Sequence, residues 1–475
     1  MTTNIAIVAN YNKTLFFKKI ADQLESQKTD KNDIQVFWIC VSTIWYEWLA
    51  REGVPKERIL FLPRSIVGEE RDGNQPERTY HYRLNELIYS DRVFRYECDF
   101  GEKYLLAIQP RIRDFIQTHK LRYIFGESTW AHEVLLNRMC LQEKALHCTY
   151  LKPHTIRIPN QRFAFFTDEF ESQLHEVSNG EEKDWPFELK KPDYFHLNDQ
   201  KNKLMTRVLG LFRNIKLALS PEKHDRQDPT QRLSRTRFFT SKIVSELNYY
   251  VYKFFVKTSK IENLPERFWV YYLHKQPEAS IDIVGRYFED QYANILRLTR
   301  MLPDDTHLLV KEHSNAIGDR PYGFYKKVKA LNRVDLIDEG ADSFILIERA
   351  EKTVTVSGTV AYEAGLLGKE AFIFSQAFFA ALPTVESALE STLESTKEMP
   401  LTEFKMPKAD SKMPIADSKM PIAGFKMSIA NFKRHLYKHS FPGVISDPIS
   451  DIRCVAPENI QQVAAAFRQV IHHDK

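Results

Sequence analysis

Apolar positions along this chain fall into two stretches of strand-then-helix rhythm, separated by a segment that breaks it. In the first, Ile5-Ala6-Ile7-Val8-Ala9 reads as a short buried strand, residues 14–24 have helical spacing, and Ile34-Gln35-Val36-Phe37-Trp38-Ile39 reads as a second strand. Residues 121–125 form another strand pattern, ending in Gly126-Glu127-Ser128-Thr129 ahead of a helix over 130–142. From about Arg267 the rhythm is cleaner, with strands at 268–273, 307–311, 334–337, 353–356 and 371–374 and helices at 287–301, 322–331, 343–349 and 360–367. Such alternation predicts parallel sheets covered by helices on both faces. The expected architecture is therefore α/β, two Rossmann-like domains facing a cleft: an N-terminal domain over 1–197 and a C-terminal domain over 267–384. Between them lies a basic helical segment, 198–266. Residues 385–432 read as a flexible insertion, and 433–475 as a closing segment whose helix spans 457–471.

Charge sharpens the picture of the middle segment. Residues 201–260 hold fourteen Lys or Arg against four acids, a surplus of ten, whereas the whole chain has a formal net charge of only +4. Leu204, Val208, Leu211, Ile215 and Leu219 are spaced as one face of a helix with cations between them. A basic amphipathic helix of this kind suits an anionic membrane surface, although most such stripes are packing surfaces of an interdomain helix with a solvated basic face. The insertion carries a repeat. Residues 405–432 are four tandem heptads, and Pro407, Pro414 and Pro421 veto a coiled coil, since an interior proline costs a helix about 3 kcal/mol.

Composition excludes several classes. At 475 residues the chain is long enough for two domains, and with 43% hydrophobic and 12% aromatic residues it can build substantial cores. The small net charge gives no global field for nucleic acid, so no nucleic-acid partner is expected. Five scattered cysteines without a Cys-x-x-Cys pair point to a reducing compartment and away from structural zinc. With no basic n-region before a long apolar stretch, and no run of about 20 apolar residues, a cytoplasmic protein is expected.

The candidate chemistry gathers where strands end. Ser357-Gly358-Thr359 lies between a strand and a helix, a place where N–H groups and hydroxyls meet phosphate, with Glu363 one helical turn beyond for ribose hydroxyls. Lys311-Glu312-His313 ends another strand, and His313 is a donor to phosphate or leaving group, although a lone histidine is more often structural. Gln276 and Ser280 flank a proline turn after a third strand. In a doubly wound sheet these ends share one edge, where ligands bind. In the first domain Glu127, followed by His132 and Glu133, supplies candidate bases or nucleophiles, and Glu127 alternatively helps to cap the helix at Trp130.

Taken together, Gln276-Pro277-Glu278-Ala279-Ser280, Phe288-Glu289-Asp290-Gln291, Lys311-Glu312-His313, Ser357-Gly358-Thr359 to Glu363-Ala364 and Gly368-Lys369 resemble the capsule polysaccharide biosynthesis family, which includes Kdo transferases. The resemblance is specific over 268–374, fainter over 123–166, and absent from the basic segment and the heptads. One departure is Ser314, where the family usually has proline after the histidine. The resemblance implies a GT-B fold and a metal-independent glycosyltransferase that moves a sugar from a nucleotide-activated, CMP-linked donor to a surface glycan or glycolipid acceptor. By that analogy His313, Ser357, Thr359 and Glu363 hold the nucleotide, with Gln276 near the donor sugar, and Ser280, Lys311 and Gly358 complete the candidate nucleotide- and donor-binding set. No cofactor beyond the nucleotide sugar itself is implied. In this reading residues 201–260 hold the protein at the inner face of an anionic membrane, near a lipid-linked acceptor. Two other readings stay open: a nucleotide-sugar epimerase or hydrolase of similar fold, and a non-catalytic export or scaffold protein that uses the basic segment to bind partners.

Overall fold

A computed structural model describes residues 2–26, 33–68, 82–187, 225–231, 235–388 and 426–473. It divides into two compact units, the first made of Met1–Glu169, Leu174–Leu247 and Arg434–Lys475, the second of Phe170–Gln173 and Asn248–Lys433.

In the first unit, β1 (Thr3–Val8), β2 (Ile34–Cys40), β3 (Ile59–Phe61), β4 (Tyr123–Phe125) and β5 (Thr149–Thr155) pair in parallel in the order β3-β2-β1-β4-β5, and β6 (Arg162–Phe166) joins β5 antiparallel. Helices α1 (Lys13–Ser26), α2 (Thr43–Arg51), α3 (Leu84–Ser90), α4 (Cys98–His119) and α5 (Ala131–Gln142) surround it. Strand β1 is apolar without alternation because a central parallel strand is buried on both faces. Helix α1 buries Phe16, Phe17, Ile20 and Leu24, one stripe of a 3.6-residue period. Pro153 sits inside β5 at no cost to the ladder. Thr149 and Leu151 bond toward β4, and by the two-residue repeat Pro153 faces the same side, beyond the end of β4.

The division between units falls inside α6 (Arg235–Phe255). The second unit then winds through β7 (Phe268–Tyr272), α7 (Gln291–Met301), β8 (His307–Lys311), α8 (Tyr322–Lys329), β9 (Val334–Ile337), α9 (Ser343–Arg349), β10 (Lys352–Thr355), α10 (Thr359–Leu366), β11 (Ala371–Ile373) and β12 (Val385–Ser387). All six strands are parallel, in the order β12-β11-β10-β7-β8-β9. The chain winds outward from β7 to β9, then returns beside β7 as β10 and winds the other way. That reversal opens a crevice at the carboxyl ends of β7 and β10. In the first unit the same reversal lies between β1 and β4. The α/β class and the two Rossmann-like sheets expected from the sequence are both present.

The ends of the 385–432 stretch differ from the expected flexible insertion. Its first residues form β12, and Lys426 Nζ donates to Ala380 O at 2.7 Å and to Val385 O at 2.5 Å. Helix α11 (Ile429–Lys438) starts within the fourth heptad, the one copy with Ser428 in place of proline, and Ser428 Oγ accepts from Asn431 N at 3.3 Å. Phe432, where the first two heptads have serine, is 2% exposed, with its ring centroid 5.9 Å from that of Tyr362. The remaining repeats, and the expected helix over 204–219, lie outside the described residues. Strand β13 (Phe441–Pro442) then closes on β6, and α12 (Pro457–His473) joins the α1 core, Phe467 lying 4.5 Å from Phe125 between ring centroids.

Candidate functional site

His274, two residues beyond β7, organises the crevice of the second unit. Its main-chain N–H donates to Gln291 Oε1 at 2.6 Å, and its carbonyl accepts from Gln291 Nε2 and from Arg320. So clamped, the buried ring meets β10: Nε2 lies 2.9 Å from Thr355 Oγ1 and accepts the Ser357 N–H at 3.2 Å. Gly358 N–H in turn donates to Thr355 Oγ1 at 3.2 Å. One proton arrangement satisfies all three bonds. The Thr355 hydroxyl donates to Nε2, and the ring is neutral with its hydrogen on Nδ1. Burial, reinforced by the positive charge of Arg320 and by that of His313 once it protonates, pushes the His274 pKa down to about 3.

This network corrects the expectation that the whole Ser357-Gly358-Thr359 turn faces a ligand. The N–H groups of Ser357 and Gly358 point inward, and the Ser357 hydroxyl donates to Ser280 O at 2.6 Å, tying the two loops together. Glycine at 358 serves the close approach to Thr355, since a Cβ there would lie 2.6 Å from Thr355 Oγ1. The donors left over are the N–H groups of Thr359 and Val360, which have no intramolecular partner among the described residues. They begin α10, where the helix dipole adds positive potential. Glu363 lies one turn further along α10, close enough to Tyr272 for its charge to help burial keep that phenol protonated.

At the end of the neighbouring strand β8, His313 Nδ1 accepts from Asn315 N at 3.1 Å, which puts the hydrogen of the neutral ring on Nε2 as a donor. Burial lowers the His313 pKa. Beneath it, buried Glu312 accepts from Arg320 Nη1 at 2.6 Å and from the Tyr325 hydroxyl at 2.7 Å, locking the β8 loop to the His274 carbonyl through Arg320. Gln276 bonds Asp282 and Gln291 at 3.4 and 3.5 Å, and Ser280 Oγ donates to Glu278 at 3.1 Å. Lys311 goes elsewhere: its ammonium donates to Glu339 O at 2.8 Å and holds the loop after β9. Sequence reasoning missed His274, Thr355 and Arg320. The first two each lie two positions before a residue it chose, Gln276 and Ser357, whereas Arg320 lies in a loop with no pattern to mark it.

In the first unit, Asn10 Nδ2 bonds Glu127 Oε2 at 3.1 Å and Thr129 Oγ1 at 2.9 Å, linking the ends of β1 and β4. Lys13 forms an ion pair with Glu127. Glu133, not Glu127, caps α5: its carboxylate accepts from the N–H groups of Glu127, Thr129 and Trp130 and from the Thr129 hydroxyl, at 2.7 to 3.2 Å. Both of its oxygens are engaged, which leaves little lone-pair capacity for chemistry. His132 stands apart, 2% exposed, and burial pushes its pKa down to about 4. Asn10 and Lys13 were legible only as polar residues following the first strand.

No protein-family model matches this chain, and no curated protein sequence matches it. Among solved structures, it is similar to a Thermosulfurimonas dismutans KpsC beta Kdo 2,7 transferase, at 10% identity and a TM-score of 0.35 over 77% of this chain and 90% of that one. It is also similar to a beta Kdo 2,4 transferase KpsC of the same organism, at 12% identity and a TM-score of 0.34 over 68% and 82%. A UDP-GlcNAc 2-epimerase from Methanocaldococcus jannaschii aligns at 11% identity and a TM-score of 0.23 over 85% and 94%.

Proposed function

We propose that this chain is a glycosyltransferase that moves a sugar from a nucleotide-activated donor to a surface or capsular glycan acceptor, with the donor held by the second unit and the acceptor by the first. The observation that carries this reading is the pair of N–H groups at Thr359 and Val360, without partners among the described residues at the start of α10 while the turn before them is folded inward. Two donors at a helix start, on the crevice edge of a doubly wound sheet, suit a phosphate. His313, donating through Nε2 from the adjacent strand end, adds a further hydrogen bond to the phosphate. Glu363 then accepts from ribose hydroxyls, and Gln276 and Ser280 border the sugar. The sequence resemblance favours a CMP-linked donor. Helix potential and neutral donors carry the phosphate charge in this scheme without a divalent ion.

Residues 201–260 hold the protein at an anionic membrane surface in the same reading. No described helix is long and apolar enough to cross one. Calorimetric titration of the full chain with CMP, CDP, UDP and GDP tests the donor half. Saturable binding of one nucleotide, lost in His313→Ala and Glu363→Ala, is expected. No binding by any of them would leave the scaffold reading in its place.

A further inference from the structure

The crevice of the first unit contains a hollow that the donor chemistry does not use. It is lined by Asn10, Tyr11, Trp45, Trp130, His132 and Asp228, among others, and its volume is about 10 Å³, room for one water-sized group. His132 is buried within the unit yet has no hydrogen-bond partner among the described residues for either ring nitrogen. A buried imidazole without a partner is costly unless something else fills the role. Asp228, which also lines the hollow, accepts from the Thr230 N–H at 2.8 Å and hydroxyl at 2.5 Å and from Gln231 at 3.1 Å, which leaves lone-pair capacity on the carboxylate.

We propose that this hollow binds a single hydroxyl of a sugar, with His132 and Asp228 as its hydrogen-bond partners and the aromatic rim meeting the sugar ring. The Asp228 carboxylate accepts the hydroxyl proton and repels phosphate, and the neutral His132 ring donates its one N–H to the hydroxyl oxygen, so the fitting group is an uncharged hydroxyl. Tyr11, 37% exposed, and half-buried Trp45 form the rim, and Tyr11 lies 5.9 Å from Trp130 between ring centroids. Flat amphipathic rings of this kind cover the C–H face of a pyranose while its hydroxyls reach the polar floor. This inference rests on the carbohydrate-active reading above and adds the acceptor's chemistry: a neutral hexose-type unit, bound through one buried hydroxyl.

Saturation-transfer NMR of the full chain with methyl glycosides of glucose, galactose, mannose, rhamnose and N-acetylglucosamine tests it. At least one glycoside should bind saturably, and His132→Leu should weaken it about three- to tenfold, the loss of one neutral hydrogen bond. Trp45→Ala, on the rim, should weaken it as well and serves alone if the His132 variant does not fold. Failure of every glycoside to bind, or binding unchanged in both variants, would overturn the proposal. CMP titrated into the same wild-type sample separates the two readings. Glycoside binding without nucleotide binding keeps this site and removes the donor assignment; the reverse removes this site alone.

Discussion

Replacing Thr359 by proline removes one backbone donor from the proposed phosphate site while leaving the helix that carries it intact. Thr359 is the first residue of α10, and its N–H has no intrahelical partner to lose. Proline is favoured at this position, and the residue before it must be extended. Gly358 already is, at φ −75° and ψ 146°. A hydrogen bond to a charged group contributes about 1.5–3 kcal/mol, so CMP should bind roughly 10- to 150-fold more weakly to Thr359→Pro. Thr359→Ala keeps the N–H and loses the hydroxyl, and should cost less. Calorimetry with CMP and with cytidine, which lacks the phosphate, isolates the contact: cytidine affinity should be the same in wild type and the proline variant. Unchanged CMP binding in Thr359→Pro, or an equal loss for CMP and cytidine, would refute the assignment of these N–H groups to phosphate.

Other consequences follow from the same geometry. His274→Leu orphans the Ser357 N–H and the Thr355 hydroxyl, at about 1–3 kcal/mol for each buried group, measurable by urea unfolding. Because the folded pKa of His274 is about 3, against 6.5 for the free group, the unfolded chain binds more protons between those values. Stability should therefore fall as pH drops from about 6.5 toward 3, and His274→Leu should lose that component of the slope. Arg320→Met strands buried Glu312 and should cost about 3–5 kcal/mol in the same unfolding assay. Phe432→Ala should cost a comparable 3–5 kcal/mol or so, an outcome at odds with a flexible end to the repeats and absent if Phe432 does not pack. Nucleotide affinity should be the same with and without EDTA, and a drop on chelation would bring a divalent ion into the donor site.

The second sheet was readable because its strands are buried on both faces and joined by short helical connections. The strands at 307–311 and 334–337 and the helix at 343–349 occupy the positions their patterns predict. Two elements of the first unit have no counterpart in the pattern read from the sequence, and each contains a proline. Helix α4 carries Pro110 in its interior, and β5 carries Pro153, tolerated only because its strand partner ends first. In the heptads, three prolines argued against structure across the whole stretch, yet the copy without one starts α11. The candidate site was legible in its loops and not in its orientation. Residue type and position pointed to Ser357, Thr359 and His313, but not to which N–H groups face outward. That depends on a histidine 81 positions from Thr355 along the chain.

A crystal structure of the protein with CMP bound would test the central claim most directly. The account predicts phosphate oxygens about 2.7–3.1 Å from the backbone nitrogens of Thr359 and Val360, with His313 Nε2 at a similar distance. Nucleotide bound away from the start of α10, or a phosphate with no contact to either nitrogen, would contradict it.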